Sequence, residues 1–336
     1  MLKLPRRQFL QLAAGTAALP AVARIASAQA YPSRPITIIV PTGAGGPPDV
    51  VARIVVERMR RSLGQAVIIE NVPGANGTLG IGRVARAKPD GYTFAFSNSF
   101  STHVVNAAIY ALPYDVVNDF EPIALVTNGS QLIVAKKAMP ANDLSGLVGW
   151  LKANPGKASL GQTGPGSPAH VAGILFQKQT GTRFQFANYR SAGQAVQDLI
   201  AGHIDLMVTS PTIALAPVQA GSIKAYAVTA RNRLAMAPDI STVDEAGLPG
   251  LYTSIWYALW APKGTPRDVI ARLNAAVVDA LADTSVRARL TDLGLEIFPR
   301  EQQTPEALGA FQKAEIDKWW PIIKEAGIKP NSPASP

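Results

Sequence analysis

Apolar and polar positions along the chain alternate between two periodicities. Short runs rich in β-branched and aromatic residues recur between turn signals: "ITIIV" at 36–40, "AVIIE" at 66–70, "YTFAF" at 92–96, "IALV" at 123–126 and "LIVA" at 132–135. They continue with "KASLG" at 157–161, "RFQFA" at 183–187, "IDLMV" at 204–208 and "IKAYAVT" at 223–229. Runs of that length and composition predict strands. Between them, 50–63, 168–180, 193–201 and 266–283 place apolar residues at helical spacing, with proline or glycine at nearly every junction. Alternating strands and helices predict an α/β protein built on mainly parallel sheets flanked by helices. No fixed-period repeat is visible, and "NSPASP" at the end is the one low-complexity stretch.

The pattern begins only after residue 30. The preceding segment has a basic start, a short alanine-rich apolar middle and a small-x-small ending at Ala28-Gln29-Ala30, the layout of an export signal. Arg6-Arg7 followed by Gln8-Phe9-Leu10 reads as a twin-arginine signal, although paired arginines also open ordinary secretory peptides. Gly15, Pro20 and Arg24 interrupt the apolar stretch, so it falls short of the roughly 20 residues of a membrane span. Cleavage after Ala30 predicts a mature periplasmic chain.

That cleavage changes the charge. Lys3, Arg6, Arg7 and Arg24 leave with no acidic residue, so the net charge of +9 falls by those four. A modest positive balance without a lysine-arginine block disfavours nucleic acid and suits a mild attraction for anions. The absence of cysteine excludes a disulfide framework and thiolate metal sites. His103, His170 and His203 are too far apart for a metal motif, so no metal and no cofactor are expected. Nor is there a GxSxG elbow: "GPGSP" at 164–168 lacks the final glycine.

Three strand-to-helix turns carry the candidate chemistry. In "PTGAGGPPD" at 41–49, Thr42, Gly43, Ala44, Gly45 and Gly46 offer backbone at a helix N-terminus, where N–H groups and the helix dipole favour anions. Pro47 and Pro48 fit the first helical turn, and Asp49 there complements the dipole; an ordinary turn with a stabilising acid is the equal alternative. "GQTGPGSPAH" at 161–170 supplies Thr163, Gly164 and Gly166, with Ser167 as N-cap and Pro168 as first helical residue. "NYRSAGQA" at 188–195 brings Tyr189, Arg190, Ser191, Ala192 and Gly193 before another helix. Arg190 is either a carboxylate fork or a solvated ion-pair partner. Ser97, Asn98, Ser101 and Thr102 follow a strand and either line a crevice or cap the next helix. Among the tryptophans, only Trp256, with neighbouring Tyr257, is placed to meet a ligand.

"YPSRPITIIVPTGAGGPPDVVAR", "VIIENVPGANGTLGIGRVARAKPDGYT", "GPGSPAHVAGILF", "YRSAGQAVQDLIAGHIDLM" and "VDEAGLPGLYTSIWYALWAPKGTP" resemble, in this order, the Bug-type receptors of tripartite tricarboxylate transporters. The resemblance runs from about Tyr31 to about Gly327. It implies a two-lobed periplasmic binding protein of the type II Venus-flytrap kind, monomeric, closing on a small organic carboxylate for integral-membrane transporter subunits. Lobe one would hold 31–127 plus 252–336, and lobe two 128–251. The resemblance places ligand contacts at Thr42 to Asp49, Thr163 to Ser167 and Tyr189 to Gly193. The chain departs from the family pattern at Thr42, often aromatic, at Pro48, often a hydroxyl residue, and at Thr209, where a phenylalanine-aspartate pair often follows the strand. Losing that acid weakens any expectation of an amino-group ligand. A sensor for a signalling partner would use the same fold and pocket; a small-ester hydrolase would need a nucleophile with a base, which the sequence does not display.

Overall fold

The computed structural model describes residues 31–328. The export segment and the "NSPASP" tail lie outside the described residues. The chain opens with β1 (Ile36–Val40), α1 (Pro47–Leu63), β2 (Val67–Asn71), α2 (Thr78–Ala85) and β3 (Thr93–Asn98), then a π-helical turn at Ser101–Val105 running into α3 (Asn106–Ile109). Next, β4 (Phe120–Ser130) leads directly into β5 (Leu132–Lys136). There follow α4 (Leu144–Ala153), β6 (Ser159–Gln162), α5 (Pro168–Thr180), β7 (Gln185–Asn188), α6 (Ala192–Ala201), β8 (Leu206–Thr209), α7 (Pro211–Gln219) and β9 (Ile223–Val228). The chain then returns through β10 (Ser254–Pro262), α8 (Arg267–Ala282), α9 (Thr284–Asp292), β11 (Glu296–Ile297) and α10 (Pro305–Glu325).

These strands form two sheets, one per lobe. The first has the order β11-β4-β10-β3-β1-β2 and the second β7-β6-β8-β5-β9. The expected parallel pairing holds within β2-β1-β3 and β7-β6-β8. The strands at the passages between lobes run antiparallel: β10 against β3 and β4, and β5 against β8 and β9. Both sheets are therefore mixed. A strand arriving from the other lobe enters against the direction set by the βαβ units.

α1 shows how the pattern becomes packing. Val51, Val55 and Met59 recur on one face with Ile54 and Leu63, and all are buried against Ile36, Ile38 and Val40 of β1 and against α8. Arg53, Glu57, Arg60 and Arg61 take the remaining positions. The helix stops at Gly64, whose φ of 66° is left-handed and whose N–H bonds to the Arg60 carbonyl at 3.0 Å.

The two crossings meet at one knot. The Thr229 hydroxyl lies 2.7 Å from the Thr253 carbonyl and 3.1 Å from that of Gln131, while the Gln131 N–H donates to it at 3.0 Å. Gln131 lies between β4 and β5 on the outward passage, and Thr229 and Thr253 flank the return. A single buried hydroxyl thus ties both passages together.

Candidate functional site

A cleft of about 430 Å³ lies between the two sheets. Four helix N-termini reach it, through Pro47 of α1, Pro168 of α5, Ala192 of α6 and Pro211 of α7. Its polar side chains are Ser130, Gln131, Gln162, Thr163, Thr209, Ser210, Thr212 and Tyr257; among the described residues no Lys, Arg, His, Asp or Glu lines it. A charge entering the cleft meets dipoles only. Aligned peptide dipoles give each helix N-terminus roughly half a positive charge.

The first turn is built around Asp49. This carboxylate is 1% exposed and accepts from the Gly45 N–H at 2.8 Å, Arg53 Nε at 2.8 Å and Asn71 Nδ2 at 3.0 Å. Burial pushes its pKa up, but the bonds from Arg53, Gly45 and Asn71 outweigh that and hold it below the ordinary value. Asn71 Nδ2 also reaches the Thr42 carbonyl at 3.1 Å, and the Gly46 N–H bonds to Gly43 O at 3.2 Å. The Thr42 hydroxyl is buried without a hydrogen-bond partner among the described residues. Gly45 lines the cleft with a left-handed φ of 78°; Gly43 and Ala44 are exposed beside it. The first turn offers an anion fewer free donors than its run of glycines suggests. The Gly45 N–H is already donated, Pro47 and Pro48 have none, and Asp49 compensates the dipole from within.

The second turn is organised by buried Gln162. Its Oε1 accepts from the Gly164 N–H and from Ser167 Oγ at 3.1 Å, while its Nε2 donates to Asn188 Oδ1. Ser167 is the N-cap of α5, accepting from the His170 N–H at 3.3 Å, with Pro168 as the first helical residue. Thr163 lines the cleft. Gly166 turns elsewhere: a side chain there would meet Ile109 at 2.6 Å and Val105 at 3.2 Å, and nearby Tyr110 donates to the Pro165 carbonyl at 3.2 Å. Gly166 is a seat between the lobes, and it does not line the cleft.

The third turn contributes Ala192 to the lining, while Tyr189, Arg190, Ser191 and Gly193 stay outside it. Tyr189 OH donates to Asp198 Oδ2 at 2.8 Å; burial and that carboxylate raise its pKa to about 12. Ser191 caps α6, accepting from the Gln194 N–H at 3.3 Å, and Arg190 is exposed.

Ser97, Asn98 and Ser101 also lie off the cleft. Ser97 Oγ sits 3.2 Å from Ser99 Oγ and 2.9 Å from Thr102 Oγ1, and Trp260 Nε1 donates to Ser99 at 3.0 Å. Asn98 Oδ1 accepts from the Ser101 N–H at 3.3 Å, so the capping alternative describes this segment. Thr102 Oγ1 lies 2.9 Å from Nδ1 of His103, which stacks on Trp260 at 4.4 Å and whose pKa burial pushes down to about 3.

Thr209 does line the cleft. Tyr257 lines it too, whereas Trp256, one residue earlier on β10, points into the opposite core against Phe311. Side-chain alternation along a strand separates them. Sequence reasoning singled out no role for Gln162, Ser210 or Gln131, nor for Leu293 and Leu295 on the facing wall. Gln162 and Ser210 stood at recognisable strand ends before proline-started helices; Leu293 and Leu295 carried no signal.

The sequence model described as "Tripartite tricarboxylate transporter family receptor" matches residues 51–328. The chain belongs to this family of solute-binding receptors. Among solved structures, the periplasmic binding protein BugD is 37% identical, with a TM-score of 0.76 over 89% of this chain and 99% of that one. MatC from Rhodopseudomonas palustris, with bound malate, is 36% identical with a TM-score of 0.77, covering 87% and 100%. An R. palustris protein with adipate is 29% identical with a TM-score of 0.79, covering 90% and 100%. As a member of the tripartite tricarboxylate transporter receptors, the chain has the two-lobed binding-protein fold, and the cleft lies where the lobes face each other.

Proposed function

We propose that the protein is a periplasmic receptor that captures a small organic carboxylate in the interlobe cleft and delivers it to a tripartite tricarboxylate-type membrane transporter. The observation that carries this reading is the convergence of the α5, α6 and α7 N-termini on a cleft whose lining, among the described residues, has no charged side chain. Such an arrangement favours an anion without a buried counter-ion that would itself need pairing. Malate and adipate in two relatives are carboxylates of the same kind. Residues 1–30 serve as the export signal, with Arg6-Arg7 selecting the twin-arginine route, and the mature chain acts as a monomer without enzymatic activity.

Among the described residues, the moving bodies are 31–127 plus the segment from 252 onward and 128–251, rotating about the Thr229 knot. The contacts are Gly45, Thr163, Ala192 and Thr209, with Gln162 and Ser210 added. Arg190 is peripheral. Native mass spectrometry of protein from its own periplasm should show a retained carboxylate. Small-angle scattering should show a smaller radius of gyration once that acid is added, and Arg190→Ala should bind it within about threefold of wild type, as an exposed, screened charge does. An unchanged radius at saturation argues against closure.

A further inference from the structure

We propose that the cleft selects a monocarboxylate with an apolar body, an aromatic or branched-chain acid, over a short dicarboxylate or an amino acid. This rests on the receptor reading above and names its ligand class. The two walls of the cleft differ in chemistry. Lobe two contributes Gln162, Thr163, Thr209 and Ser210 together with the α5, α6 and α7 N-termini. Lobe one contributes Val50, Ile255, Leu293 and Leu295, and its polar side chains in the lining are Tyr257 and, at the very end of β4, Ser130.

The helix N-terminus on the lobe-one wall is short of free donors and carries its own acid. α1 begins with two prolines, the Gly45 N–H is bound at 2.8 Å to Asp49, and that carboxylate sits in the first turn. One carboxylate is therefore accommodated on the lobe-two wall by dipoles and uncharged donors. A second, reaching lobe one, would lose its hydration against hydrocarbon with Asp49 behind the turn. Burying an unpaired carboxylate is among the costliest exchanges with water, whereas a ring or branched chain gains by the same burial. An amino acid fares no better, because among the described residues no acidic side chain lines the cleft to pair its ammonium.

Calorimetry on the mature protein with benzoate, 4-methylpentanoate, succinate and malate tests this. Benzoate or 4-methylpentanoate should bind at least about tenfold more tightly than malate, a difference that one well-buried apolar group supplies. Val50→Lys, confirmed folded by circular dichroism, places a cation on the lobe-one wall and should shift the ratio at least about tenfold toward malate. If it misfolds, the wild-type ratio decides. Malate or succinate binding as well as or better than both monocarboxylates overturns the ligand class and leaves the receptor reading standing. A folded Val50→Lys protein with an unchanged ratio overturns it as well. Silence toward all four and toward adipate overturns both.

Discussion

Asp49→Asn tests whether the first turn is held by a negative charge or only by an acceptor of the right shape. The wild-type carboxylate takes three donors on two oxygens: Oδ2 accepts from Gly45 and Arg53, and Oδ1 from Asn71. An amide keeps one oxygen and turns an NH2 group toward another donor. Rotating Asn71 would not relieve this, because its Nδ2 also serves the Thr42 carbonyl at 3.1 Å. Charge-assisted bonds contribute about 1.5–3 kcal/mol each. Arg53 is left out of the count because its side chain is half-exposed and rehydrates. The remaining loss, one bond broken and one weakened, comes to about 2–4 kcal/mol.

Urea denaturation followed by circular dichroism at pH 7 measures it, and hydrogen exchange at Gly45 reports the turn itself. The folded-state pKa of Asp49 is depressed, so its contribution is present above the unfolded value and disappears as pH falls through the folded one. The variant should therefore converge on wild type in acid. If Asp49→Asn is within about 0.5 kcal/mol of wild type at pH 7, the level of an ordinary surface change, the carboxylate does not hold the turn.

Gln162→Ala removes the acceptor of the Gly164 N–H and Ser167 hydroxyl and the donor to Asn188; stability should fall by about 2–3 kcal/mol with weakened ligand binding, read by thermal melting and calorimetry. His103 stays neutral in the fold down to about pH 3, whereas its ordinary value is 6.5, so the unfolded chain takes up a proton that the fold refuses. Its contribution is complete above pH 6.5 and is lost on acidification toward pH 3, at up to about 1.4 kcal/mol per pH unit. His103→Gln should flatten that part of the stability–pH curve; an unchanged slope would mean that other groups set it.

Much of this architecture could be read from periodicity and punctuation. "ITIIV" became β1 with its limits unchanged, and Ser167 and Pro168 took the N-cap and first-turn positions that their chemistry dictates. β10 escaped because "SIWYALWAP" is apolar along most of its length, so it offers no alternation and sits buried between β3 and β4. The glycine-rich turns were found, but not their internal wiring. Whether the Gly45 N–H faces a ligand or Asp49 depends on how the first helical turn folds back on the loop, and residue types fit both. The apolar wall of Leu293 and Leu295 comes from the distant end of the chain and is assembled only by tertiary packing.

β10 occupies the middle of the first sheet although it is encoded after the whole of the second. Until a growing chain has advanced past Pro262, β3 and β4 have no strand between them, and each presents an open edge. Lobe two, by contrast, has every strand of its sheet by Val228. The first part synthesised is thus the last completed, and its long-range pairing is of the kind that slows folding and exposes edges to other chains. A chain ending near residue 253 should leave lobe one aggregation-prone. The C-terminal quarter is thus a requirement for closing the first sheet, wherever in the cell the chain folds.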